Sequence, residues 1–168
     1  LTHYIRDIPD FPKPGILFKD LTPLFGDADA LAETVARMSE TASTLGITHV
    51  AGIESRGFIL GGGIAVRLGV GFVPIRKPGK LPAETISESY DLEYGSDRIE
   101  MHRDALKPGD KVLVVDDLLA TGGTMGAAVK LVEKAGATVA GIVFAVELGF
   151  LNGRQRINGY NITSLIVY

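Results

Sequence analysis

The hydrophobic positions fall into two alternating patterns. Apolar runs at 48–53 (THVAGI), 70–75 (VGFVPI), 112–115 (VLVV) and 138–146 (TVAGIVFAV) have strand length and little in–out alternation, which predicts strands covered on both faces, as in a parallel sheet. A last strand is predicted at 161–167. Between these runs the apolar residues change to helical spacing. Over 27–45, Leu31, Val35, Met38 and Ala42 share one stripe, Asp27 or Asp29 is placed to cap the start, and Gly46 to end the helix. Residues 58–68 predict a second helix that stops at Gly69. It contains Gly61, Gly62 and Gly63, which weaken a helix, so close packing against the sheet or another subunit is expected. A third helix runs to Ala135 behind the loop 120–124, and a short helical piece is predicted near 153–157. Strands alternating with helices predict an α/β fold, a mainly parallel, doubly wound sheet flanked by helices with right-handed crossovers.

Two segments break this rhythm. Residues 8–25 (IPDFPKPGILFKDLTPLF) carry four of the eight prolines and three of the seven phenylalanines, which excludes a long helix and predicts an irregular arm with short extended pieces. Residues 81–103 are polar and lack a core-forming run. Residues 90–94 alternate, Gly95-Ser96 supplies a turn and 98–102 alternate again, so a two-stranded excursion is predicted. So long an insertion in a compact domain is either functional or disordered.

Composition narrows the class. A chain of 168 residues, 46% hydrophobic, suits one globular domain spanning 1–168. A net charge of −3 argues against a broad nucleic-acid face, so no nucleic-acid partner is expected. The absence of cysteine fits a reducing compartment. No apolar run is long enough to cross a membrane, and the start at Leu1-Thr2-His3 carries no basic-then-apolar leader, so a cytoplasmic location without a membrane partner is expected. The three histidines are scattered and suggest no protein metal cage, so no metal ligand is assigned.

The chemistry concentrates at 112–124, VLVVDDLLATGGT. Asp116 and Asp117 stand where a buried strand reaches its carboxyl end, the edge at which open α/β sheets bind ligands. The following loop, Ala120, Thr121, Gly122, Gly123 and Thr124, opens a helix and offers backbone N–H groups, two hydroxyls and the positive end of the helix dipole. That combination suits a phosphate monoester. The carboxylates would repel the same phosphate, but they accept short hydrogen bonds from sugar hydroxyls. Either piece alone reads as an ordinary capped turn; the ordered pair describes a cradle for ribose 5-phosphate. Neither a Walker A pattern nor a strand-linked G-x-G-x-x-G occurs.

VLVVDDLLATGGT resembles the phosphoribosyl pyrophosphate (PRPP) binding motif of type I phosphoribosyltransferases, and its wording is closest to that of the adenine phosphoribosyltransferases. PGILFKDLTP, ESRGF, RKPGKLP and SYDLEYG resemble further segments of that family in the family's order, so the likeness covers nearly the whole chain. It implies a hood over the base at about 1–26, with Phe18 stacking on adenine and the backbone near Leu17 and Lys19 reading its edge, and Leu118 on the opposite side. It implies a pyrophosphate site of Ser55, Arg56, Arg76, Lys77 and Lys80. It makes 81–103 a mobile catalytic flap, with Glu93 and Tyr94 managing the proton of the incoming base and Arg56 assisting the leaving group. Magnesium would enter bound mainly through PRPP oxygens, and a homodimer is expected from the resemblance. Relatives that use hypoxanthine or guanine typically carry Asp at the position of Ala120, so adenine is favoured. Another nucleobase phosphoribosyltransferase, for hypoxanthine, guanine or a pyrimidine, and a non-catalytic PRPP-sensing regulator are the alternatives.

Overall fold

The computed structural model of the chain describes residues 1–92 and 94–168. Its centre is a five-stranded, all-parallel sheet in the order β4-β3-β7-β8-β9, built from β3 (His49–Ile53), β4 (Gly71–Ile75), β7 (Lys111–Leu119), β8 (Thr138–Glu147) and β9 (Ile162–Val167). Helices α2 (Ala28–Glu40) and α3 (Arg56–Leu68) cover one face, and α4 (Gly123–Lys134) covers the other. The expected doubly wound α/β architecture is therefore present.

The middle strand explains why its sequence is apolar without alternation. Val112 and Val114 enter the core beneath α4, while Leu113 and Val115 enter the core beneath α2 and α3. All four are at most 1% exposed. The stripe predicted over 27–45 is also realised in α2: Met38 is fully buried, Leu31 and Val35 pack against the same core, and the Asp27 side chain accepts from the Ala30 N–H at 2.8 Å as an N-cap. Two of the three consecutive glycines Gly61, Gly62 and Gly63 of α3 are explained by close approach within this chain. A β-carbon on Gly61 would lie 2.9 Å from the Phe72 ring of β4, and one on Gly63 would lie 2.9 Å from Val35 of α2.

Four boundaries differ from the sequence reading. α2 ends at Glu40, and turns rather than helix carry the chain through residues 41–46. β7 does not stop before the aspartates but continues through them to Leu119, because Asp116, Leu118 and Leu119 keep their pairing with Phe144, Val146 and Glu147 of β8. The polar excursion begins its first strand earlier than alternation indicated. β5 (Thr85–Asp91) pairs antiparallel with β6 (Ser96–His102), Tyr90 opposite Asp97, and Ile86, Ile99 and Met101 anchor the ribbon in the α4-side core. The N-terminal arm is a hairpin, β1 (Arg6–Pro9) with β2 (Leu17–Asp20), followed by a short helix, α1 (Thr22–Gly26), absent from the sequence reading. Leu21 and Leu24 bury this arm against the body. The short helical piece at Gly153–Ile157 is present as 3-10 helix.

Candidate active site

The carboxyl ends of β3, β4 and β7 open into one cavity. Its wall is formed by Glu54, Ser55 and Arg56 after β3, Lys77 after β4, Asp116, Asp117 and Leu118 of β7, Thr124 of α4 and Tyr90 of the ribbon. A second, smaller cavity adjoins it, lined by Asp116, Leu118, Leu119 and the whole loop from Ala120 to Thr124. The shared lining of Asp116, Leu118 and Thr124 makes the two cavities neighbouring compartments of one cleft.

The loop compartment is shaped by backbone. Gly122 takes φ +83°, a left-handed conformation that costs little only for glycine, and it is the N-cap of α4. It has no room for a side chain: a β-carbon there would stand 2.3 Å from the carbonyl oxygen of Gly153. Gly153 is pressed in turn against the loop, with its own hypothetical β-carbon 2.3 Å from the Ala120 carbonyl. Among the described residues no side chain caps α4, and the first residues of the helix, Gly123, Thr124 and Met125, line the compartment. Anions bind at such a helix start.

The carboxylate pair lies between this loop and the cations. Asp117 is 3% exposed and receives a short, charge-assisted hydrogen bond from the Arg56 Nε. The Asp117 N–H donates to Asp116 Oδ1 at 2.9 Å. Burial, and after it the negative charge of Asp117, hold the Asp116 carboxyl well above the usual carboxylate range, against the opposing pull of the Asp117 N–H and Arg56. The start of α3 is packed closely on this pair, since a β-carbon on Gly57 would lie 3.0 Å from Asp116 Oδ1.

The cation side is built from side chains. Lys77 donates to Tyr90 Oη at 3.1 Å and forms a close ion pair with Asp97 Oδ2, while Tyr90 donates to the same Asp97 oxygen at 3.1 Å. Burial lowers the Lys77 pKa, but the bonds to Asp97 and Tyr90 outweigh it and leave the ammonium above the ordinary lysine value. The Lys77 bond, helped by the Arg98 N–H, lowers the Asp97 carboxyl. Glu54 Oε1 accepts from the Lys77 N–H at 2.5 Å and lies 3.4 Å from Arg76 Nε, which ties the turn after β4 to the loop after β3.

Of the residues singled out from sequence, Ser55, Arg56, Lys77, Asp116, Asp117, Leu118 and the loop Ala120–Thr124 line the cleft. Arg76 is turned toward Glu54 and the Phe58 ring, with its Cζ 5.7 Å from the ring centroid. Lys80 is exposed beyond the Gly79 turn. Phe18 packs edge-on against Phe11 at 5.0 Å, and the Arg56 Cζ lies 5.7 Å from the Phe18 ring, which sets β2 beside the cation of the cleft. Leu17 is half exposed. The Lys19 side chain is directed elsewhere, pairing with Asp7 at 2.6 Å and lying 3.9 Å from the Tyr168 ring centroid. Tyr94 is 84% exposed at the tip of the ribbon, and Glu93 lies outside the described residues. Sequence reasoning missed Glu54, Tyr90 and Asp97. The signal for the last two was the hairpin register, which sets them opposite each other once the first strand is drawn back to Thr85.

Comparison with known proteins agrees with this geometry. The profile of the phosphoribosyl transferase domain matches residues 26–164. The adenine phosphoribosyltransferase of Francisella philomiragia is 58% identical, with 98% of each chain covered. The crystal structure of adenine phosphoribosyltransferase from Thermoanaerobacter pseudethanolicus superposes with a TM-score of 0.97 at 52% identity, covering 99% of this chain and 97% of that one. The Saccharomyces cerevisiae enzyme, solved with an imino-altritol bisphosphate and adenine, reaches a TM-score of 0.92 at 40% identity, covering 98% and 96%. A parallel sheet that delivers a backbone anion loop and a carboxylate pair to one cleft, matched along nearly its whole length by these relatives, places the chain in the phosphoribosyltransferase family, among the adenine phosphoribosyltransferases.

Proposed function

We propose that the chain transfers the 5-phosphoribosyl group of PRPP to adenine, giving AMP and pyrophosphate, a purine-salvage reaction. The observation that carries the reading is the division of one cleft into a glycine-shaped loop at a helix start, a carboxylate pair and a set of cations. PRPP presents the matching groups in the same order: a 5-phosphate, a ribose diol and a pyrophosphate.

The loop from Ala120 to Thr124 holds the 5-phosphate, and Asp116 and Asp117 accept from the ribose hydroxyls. Arg56, which pairs with Asp117 here, is within reach of the departing pyrophosphate. A move of its guanidinium to that anion would leave both carboxylates to the sugar. The C1′–O bond breaks, the base nitrogen bonds to C1′, and the electron pair leaves with pyrophosphate. The intervening sugar has oxocarbenium character, which the adjacent carboxylates stabilise. Lys77, Arg76, Lys80 and Ser55 complete the pyrophosphate side. The base lies between Phe18 and Leu118, with the backbone near Leu17 and Lys19 reading its edge, and Glu93 with Tyr94 on the flap manages its proton.

Magnesium is proposed to arrive with PRPP, where it would neutralise charge on the leaving group. Mg²⁺ keeps much of its water shell and would bind mainly through the oxygens of PRPP and pyrophosphate, so no side chain of the cleft is assigned to it. Among the described residues, no helix is long and apolar enough to cross a membrane. A homodimer working in the reducing cytoplasm completes the proposal. The test is AMP formation with PRPP, magnesium and each free base in turn. Adenine should be the base consumed, and comparable turnover of hypoxanthine or guanine would overturn the assignment to adenine.

A further inference from the structure

Tyr90 has a position that the transfer chemistry described above does not use. It stands on β5 as the wall between the cleft and a surface groove formed by α4, Arg156 and Tyr160. Its ring lies on the phosphate loop: a β-carbon on Gly123 would come 3.3 Å from the Tyr90 Cδ2. Its hydroxyl lies on the opposite side of the cleft chemistry, accepting from Lys77 at 3.1 Å and donating to Asp97 at 3.1 Å. One rigid side chain thus touches both the anion loop and the cation of the pyrophosphate side.

We propose that Tyr90 is a positioning residue that sets the pyrophosphate-side Lys77 relative to the 5-phosphate loop, an inference that rests on the phosphoribosyl-transfer reading. Lysine has a long flexible stem, and fixing it in one place costs rotamer freedom. The Tyr90 ring, with few torsions and a backing of glycine, supplies a fixed acceptor. The hydroxyl has a second effect through its donated proton. By hydrogen-bonding to Asp97, it satisfies part of that carboxylate and weakens its hold on Lys77, which leaves the ammonium available to an incoming polyanion. Without the hydroxyl, Asp97 would keep the lysine and compete with pyrophosphate for it.

The test is calorimetric binding of inorganic pyrophosphate in magnesium buffer and, separately, of AMP, which carries the 5-phosphate without the pyrophosphate. Tyr90→Phe keeps the ring on Gly123 and removes only the hydroxyl. It should weaken pyrophosphate binding about three- to tenfold, the size expected from one hydrogen bond to a charged group that keeps another partner, with AMP affinity within twofold of wild type. Adding Asp97→Asn to Tyr90→Phe removes the competing carboxylate and should recover most of the lost pyrophosphate affinity, a rescue that a purely structural role would not produce. Tyr160→Phe is the control. It deletes a tyrosine hydroxyl bonded to Glu133 near the C-terminal end of α4, in the surface groove and outside the cleft lining, and should change neither affinity. Wild-type pyrophosphate affinity in Tyr90→Phe, equal weakening of both ligands, or no recovery in the double variant would each overturn the proposal. Failure of the wild-type protein to make AMP from PRPP and adenine would overturn the functional reading instead, and the AMP-formation assay separates that result from the binding results.

Discussion

The two sides of the cleft are built by different means. The loop proposed for the 5-phosphate is shaped by backbone: a left-handed glycine, a second glycine, Gly153, pressed against it, and the start of a twelve-residue helix. The side proposed for pyrophosphate is built mainly from side chains: Lys77, Asp97, Tyr90, Glu54 and Arg76 are joined by ion pairs and hydrogen bonds across a turn and a ribbon. A backbone site is preorganised and pays little entropy on binding, whereas a side-chain site can release and re-form its bonds. The comparison teaches that the group retained from substrate to product would sit on the rigid side, and the group that departs on the adjustable side.

The largest expected effect breaks the comparison at its centre. Changing Asp116 and Asp117 together to Asn removes two charge-assisted acceptors, each worth about 1.5–3 kcal/mol, so PRPP affinity should fall by roughly a hundredfold or more with the fold intact. Unchanged affinity for PRPP by calorimetry would remove the carboxylates from the sugar site.

That pair also marks how far the sequence could be read. The strand carrying it was legible, because Val112 to Val115 are apolar for two separate cores, and so was the helix behind the loop. The strand's continuation to Leu119 was not legible, since two aspartates interrupt the apolar run while the backbone pairing with β8 persists. The Arg56–Asp117 pair joins residues 61 positions apart, and no local pattern announces it. On the other side of the cleft, β5 reads as loop because Thr85, Ser87 and Ser89 are polar. Burial of Ile86 and of Ile99 and Met101 on the partner strand is what holds the ribbon down.

The flap tests the adjustable side. Glu93→Gln keeps the shape of the proposed proton carrier and removes its acid–base chemistry. Single-turnover AMP formation should slow by about 10²–10⁴-fold with PRPP affinity little changed. A wild-type single-turnover rate would transfer the role to Tyr94 or to a bound water. Single turnover is the right readout because flap opening after the reaction can limit steady-state rates.

Lys77→Met should have a smaller effect, confined to one ligand. Pyrophosphate affinity should fall about tenfold, while thermal stability changes little, because partly exposed ion pairs contribute about 0–1 kcal/mol. A large drop in Tm with no change in pyrophosphate binding would make the Lys77–Asp97 pair structural.

The smallest effect is in stability against pH. Asp116 has its folded pKa raised above the unfolded value, so the folded state favours its protonated form and loses stability as pH rises through that raised pKa. Asp116→Asn should therefore be indistinguishable from wild type below the ordinary aspartate pKa and more stable at neutral and higher pH. Thermal melts across pH check this, and a destabilised Asn variant at pH 8 would contradict the assigned cause of the shift.

The most direct test of the two-sided cleft is a cross-titration. Calorimetric affinities for AMP and for magnesium pyrophosphate are measured on wild type, on Asp116→Asn/Asp117→Asn and on Lys77→Met. The account predicts a crossed pattern, in which the aspartate variant loses AMP and keeps pyrophosphate, and the lysine variant loses pyrophosphate and keeps AMP. Loss of both ligands to the same degree in both variants would contradict it.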